Sequence, residues 1–93
     1  MNLKVSPVAT CLIDVSSVKT LTELRNAIYR GLGCDCGHSY GLVWYLEDLT
    51  EPTLITISGL DNLLAHLPTH GKLFKIALRD AAEHFEKVSV RFV

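Results

Sequence analysis

Three residues in one short stretch could hold a metal or do thiol chemistry. They are Cys34, Cys36 and His38, in the run Gly33-Cys34-Asp35-Cys36-Gly37-His38. Thiolate and imidazole are natural zinc ligands. Yet Cys-x-Cys is tighter than the spacing of structural zinc sites, and a fourth ligand is missing. Asp35, His66 and His70 are the nearby candidates. A cysteine nucleophile would need a base and a group to orient that base. His38 stands two residues from Cys36, but no orienting partner follows. Loop thiols without a role are the simpler reading. Cys11 falls in an apolar run and reads as a small core residue. The glycines Gly31, Gly33 and Gly37 follow a helical pattern rather than a strand, the wrong setting for a phosphate loop. No serine sits in a nucleophile elbow. The sequence therefore predicts a protein that is not an enzyme and that needs neither metal nor cofactor.

The charges are segregated. From Gly31 to Gly71 there is no Lys or Arg, while Asp35, Glu47, Asp48, Glu51 and Asp61 give a net of −5. All nine basic residues lie outside that stretch, where the net charge is +4. Tyr40, Trp44 and Tyr45 lie among the carboxylates. Aromatic anchors beside acids suit a protein partner with a basic surface. A solvated helix face with Trp44 half in the core is the blander reading.

These residues need elements to position them. Residues 9–15, Ala-Thr-Cys-Leu-Ile-Asp-Val, read as a buried strand. Thr20-Leu21-Thr22-Glu23 is a capping box, in which each side chain satisfies the other's backbone N–H. Leu21, Leu24, Ile28 and Leu32 then recur at helical spacing, and Gly31 and Gly33 end the helix. Residues 33–38 read as a loop. Ser39 caps a second helix reaching about Leu49, with Leu42, Val43, Leu46 and Leu49 inward. Thr53 to Ser58 is a β-branched strand opened by Pro52. A short helix from Gly59 to Leu67 stops at Pro68. A longer helix from Lys72 to Phe85 turns Leu73, Phe74, Ala77, Leu78, Ala81 and Phe85 inward. Residues 88–93 form the last strand.

Ninety-three residues, 48% hydrophobic and 20% charged, fit one small globular domain, residues 1–93. The order β-α-α-β-α-α-β, with helical crossovers, predicts an α/β fold with a three-stranded parallel sheet packed against helices. The expected core is Leu12, Ile13, Leu24, Ile28, Leu46, Leu54, Ile55, Ile57, Leu78, Ala81, Phe85, Val90 and Phe92. If all the helices share one face, the other face of the sheet is open. A net charge of −1 disfavours a direct nucleic-acid binder. No apolar run approaches the ~20 residues of a membrane span. The first residues lack the pattern of a signal peptide, and three cysteines cannot all pair within the chain, so the expectation is a cytoplasmic protein.

At the second helix the sequence resembles the barstar family, intracellular inhibitors of secreted ribonucleases. The resemblance runs from about Cys11 to Val93. Gly37 and Trp44 keep the family's Gly-to-Trp spacing, and Ser39 stands where the family has Asn. Glu51-Pro52 leading into Leu54-Ile55-Thr56-Ile57 resembles the start of its central strand. Gly71 and the helix through Leu78-Arg79-Asp80-Ala81 resemble its last helix. The family's acids on the second helix, which fill the nuclease's phosphate-binding cleft, fall here at Gly41 and Tyr45. The acid of the last helix is kept as Asp80, and Glu47, Asp48 and Asp35 could supply the missing charge.

The resemblance implies an immunity protein that blocks the basic cleft of a ribonuclease toxin, from a secreted nuclease or a contact-dependent growth inhibition system. It would be a monomer when free and form a 1:1 complex. The expected partner surface comprises Asp35, His38, Ser39, Tyr40, Gly41, Trp44, Tyr45, Glu47, Asp48 and Asp80. A non-enzymatic adaptor or self-associating module, built on Tyr40, Trp44 and Tyr45, is the alternative. A small metal-bearing enzyme on Cys34, Cys36 and His38 is the third reading.

Overall fold

The computed structural model describes residues 7–33, 42 and 45–93. Along the chain come β1 (Ala9–Asp14), α1 (Leu21–Leu32), β2 (Thr53–Ser58), α2 (Leu60–His66), α3 (Pro68–His84) and β3 (Val88–Phe92). Leu42 and residues 45–47 are helical as well. The strands form one parallel sheet in the order β1-β2-β3. Ile13 pairs with Ile57, and Ile55 pairs with Val90. Parallel neighbours require a crossover. Crossovers of one hand between strands laid down in sequential order put their helices on the same face.

Burial follows that rule. Ile13, Thr53, Ile55, Ile57 and Val88 are buried beneath the helices, while Thr10, Leu12, Asp14 and Arg91 are exposed on the opposite face. The α/β class and the parallel sheet expected from the sequence are therefore present, and one sheet face is open. Leu12, expected in the core, is 56% exposed, because it points to that open face. Leu54 is only half-buried for the same reason. Phe85, Val90 and Phe92 pack against the core as half-buried residues rather than within it. In their place Val15, Val18, Ala27, Leu32, Leu60, Leu63 and Val88 are buried.

The capping box of α1 forms as expected. Glu23 N–H donates to Thr20 Oγ1 at 3.2 Å, and Thr20 N–H donates to Glu23 Oε1 at 3.1 Å. Gly33 closes the helix in the left-handed conformation. Gly31, expected to help end the helix, lies inside it and serves closeness instead. A Cβ there would stand 2.5 Å from the Leu12 carbonyl oxygen and 2.8 Å from an Ile13 side-chain carbon. The last turn of α1 thus rests directly on β1. α2 stops just before Pro68, as expected, and Pro68 also begins α3, four residues before the expected start. Proline's fixed φ suits the first helical turn, where its missing N–H is not needed. Leu73, expected inward on that helix, is 59% exposed.

Candidate protein-binding surface

The acidic segment is held down by its leucines. Leu42 and Leu46 are four residues apart and both buried, Leu46 almost completely. Leu49 packs against the same core. Spacings of four and three place these side chains on one helical face. Glu47 and Asp48, next in sequence to Leu46, are exposed. Two carboxylates therefore face water from a turn whose inner side is fixed in the core.

Tyr45 sits differently from the exposed anchor the sequence suggested. It is half-buried, and its hydroxyl donates to the Leu32 carbonyl at 3.1 Å. That carbonyl belongs to the last turn of α1, where no later helical N–H is available to it. Tyr45 thus joins the acidic segment to α1. A tyrosine one helix beyond an α1 C-terminus was the only sign of this bond in the sequence. At the far end of the segment, Lys87 Nζ donates to the Thr50 carbonyl at 2.9 Å, and Thr53 N–H donates to the Lys87 carbonyl at 2.8 Å. The hinge between the acids and β2 is thereby tied to the start of β3.

Asp80 is exposed on α3. Its backbone carbonyl lies 2.8 Å from His84 Nδ1, one turn on. Ala77, three residues before Asp80, lines a groove together with Leu42. Among the expected partner residues, then, the structure places Tyr45, Glu47, Asp48 and Asp80. Asp35, His38, Ser39, Tyr40, Gly41 and Trp44 lie outside the described residues, as do Cys34 and Cys36.

The chemistry of the described residues is limited. No cluster of three or more His, Cys, Asp or Glu side chains that could hold a metal occurs among them. Burial pushes the Cys11 thiol up from its ordinary value. It is therefore protonated near neutral pH and a poor nucleophile. His66, His70 and His84 are exposed. No helix among the described residues is long and apolar enough to cross a membrane.

The chain matches no protein-family model and no curated protein. What the surface can do follows from its own layout. It offers carboxylates on a short, core-anchored turn and a further carboxylate on α3. Exposed carboxylates on a core-anchored turn can occupy a cationic recess without any bond being made or broken.

Proposed function

We propose that this protein is a barstar-like immunity protein that binds a ribonuclease toxin and blocks its active-site cleft. The observation that supports this reading best is the exposed pair Glu47 and Asp48 on a turn anchored by buried Leu46, within a stretch of sequence free of Lys and Arg. A ribonuclease cleft must attract phosphates, so it is basic. Carboxylates presented on a rigid support compete with RNA for that cleft, and their field steers the encounter. Asp80 supplies a third carboxylate from α3. Tyr40 and Trp44 are the aromatic anchors of the proposed contact, with Asp35, His38, Ser39 and Gly41 leading into it. Tyr45 contributes by holding the segment to α1.

Inhibition of this kind needs no catalytic residue, metal or cofactor. The protein acts in the cytoplasm of the toxin's own producer or its siblings, as a monomer that forms a 1:1 complex. It does not contact nucleic acid or membrane. Affinity capture from source cells, with toxin-domain candidates read by mass spectrometry, tests the reading. A ribonuclease domain recovered at 1:1 supports it. Recovery of only non-nuclease partners, unaffected by neutralising Glu47, Asp48 and Asp80, would replace it with an adaptor role carried by Tyr40 and Trp44.

A further inference from the structure

The two edges of the sheet differ. At β1, the N–H groups of Ala9 and Val15 donate to the carbonyls of Pro52 and Ser58, at 3.1 and 2.8 Å. Backbone groups alternate along a strand, so Leu12 turns its own away from β2. The last turn of α1 lies against that side, since a Cβ on Gly31 would stand 2.5 Å from the Leu12 carbonyl oxygen. At β3, Thr53 N–H donates to the Lys87 carbonyl and Val93 N–H donates to the Ile57 carbonyl. The same alternation turns Ser89 and Arg91 toward β2 and turns the N–H groups of Val90 and Phe92 outward. Neither of these finds an acceptor among the described residues. β3 packs against β2 and α3. Its register with β2 is unbroken from Val88 to Phe92, and it holds neither proline nor bulge. Those features, or a covering element, are what close natural edges.

Cations border this open edge. Arg91 is exposed on the uncovered face of the sheet, its guanidinium 3.5 Å from the Thr56 hydroxyl. α3 turns His70, Leu73 and Ala77 toward α1. Lys75, Arg79 and Ala82 occupy its opposite flank, which is the β3 side. Lys75 and Ala82 are half-buried there, and Arg79 is exposed. Lys87 leads into β3, with Glu86 before it. Lys72 and Glu83 lie on the solvent side of α3 and offset each other.

We propose that the open edge of β3 takes up an acidic extended segment of a partner protein as a fourth strand. The occupant is a strand because the outward N–H groups recur at every second residue, a spacing that another extended backbone matches. It is acidic because Arg91 stands at one face of the added strand and Lys75 and Arg79 stand on the other side. Its side chains beside half-buried Val90 and Phe92 are apolar, and the alternate ones reach Arg91. A second copy of this chain is disfavoured, since pairing edge to edge brings the cations of both copies together. The inference does not rest on the acidic segment or its proposed target.

Three labelled peptides, each long enough to span the strand, test it. The first alternates Val and Glu, the second alternates Val and Lys, and the third is the first with its backbone nitrogens methylated. Amide hydrogen exchange of the full chain locates binding, and fluorescence anisotropy measures it. The Val-Glu peptide is expected to protect the amides of Val90 and Phe92, which exchange freely in the chain alone. It should bind at least about tenfold more tightly than the Val-Lys peptide, the effect of one good charge contact. The methylated peptide cannot donate to the edge and should not bind. Arg91→Glu alters an exposed side chain, leaves the thermal melt unchanged and should remove most of the preference for Glu over Lys. Absence of binding, protection elsewhere, equal binding of the first two peptides, or undiminished binding of the third overturns the proposal. So does a preference indifferent to Arg91→Glu. Slow exchange of Val90 and Phe92 in the chain alone overturns it as well, because the edge would already be covered. The cover would be another part of the chain if the protein is monomeric, and a second copy if it is a dimer.

Discussion

The Tyr45 hydroxyl carries a structural duty, tying the acidic segment to α1. Its bond to the Leu32 carbonyl is neutral and partly buried. Tyr45→Phe should cost about 1 kcal/mol of stability, measured by urea unfolding, with the ring packing kept. Two carboxylates elsewhere are held below their ordinary range. For Glu23 the main cause is the N–H of Lys19, with Thr20 adding to it. For Asp14 it is the Ser16 hydroxyl at 2.6 Å, then the Ser16 N–H, with the charge of Arg30 helping. Groups with a depressed folded-state pKa contribute stability that is complete above the unfolded value, about 4, and is lost as pH falls through the folded one. The urea midpoint should therefore drop as pH is lowered below about 5. The double variant Glu23→Gln, Asp14→Asn should show a shallower drop over the same window. An unchanged slope would mean that these bonds persist in the unfolded chain.

At the scale of elements, local signals were readable where local physics decides. The Thr20 and Glu23 pair announces α1 because both partners of the capping box lie within four residues. The strands are equally clear from their β-branched runs. Leu12 misleads because a continuous apolar run, Cys11-Leu12-Ile13, suits a parallel strand covered on both faces, whereas this sheet is covered on one. Pro68 marks the end of α2 correctly but hides the start of α3, because a proline that cannot continue one helix is also well suited to begin the next. Val15 and Val18 are hidden for a different reason. They lie in the connection after β1, and a residue far along the chain completes their burial. Asn62 Nδ2, on α2, donates to the carbonyls of both Val15 and Val18 at 2.9 Å. Gly59, just before α2, adopts φ 85° and leaves no room for a Cβ against Ser16. Asn62→Ala should then lower stability by about 1–3 kcal/mol, since the Val18 carbonyl loses the Asn62 donor and the Val15 carbonyl keeps only the 3.3 Å bond from the Val18 N–H. Faster amide exchange confined to residues 15–18 and α2 would check that the loss is local.

Across the whole molecule, the separation of charge was fully present in the sequence, and its support was not. Reading the residues shows an acidic stretch without cations, but only the fold shows Leu46 fixing its inner side while Glu47 and Asp48 stay in water. Association through exposed acids is screened over a Debye length of about 8–10 Å. Binding at the acidic face should therefore slow as salt rises. The joint variant Glu47→Gln, Asp48→Asn, Asp80→Asn should cut the association rate by about tenfold or more at low salt, while its unfolding midpoint stays close to that of the parent.

The most direct measurement is RNA cleavage by a panel of ribonuclease domains, from secreted nucleases and contact-dependent toxins, titrated with this protein. The account predicts that at least one is inhibited stoichiometrically at 1:1, and that the joint variant and added salt both weaken that inhibition. Failure to inhibit any member, or inhibition indifferent both to salt and to the loss of all three carboxylates, would contradict it.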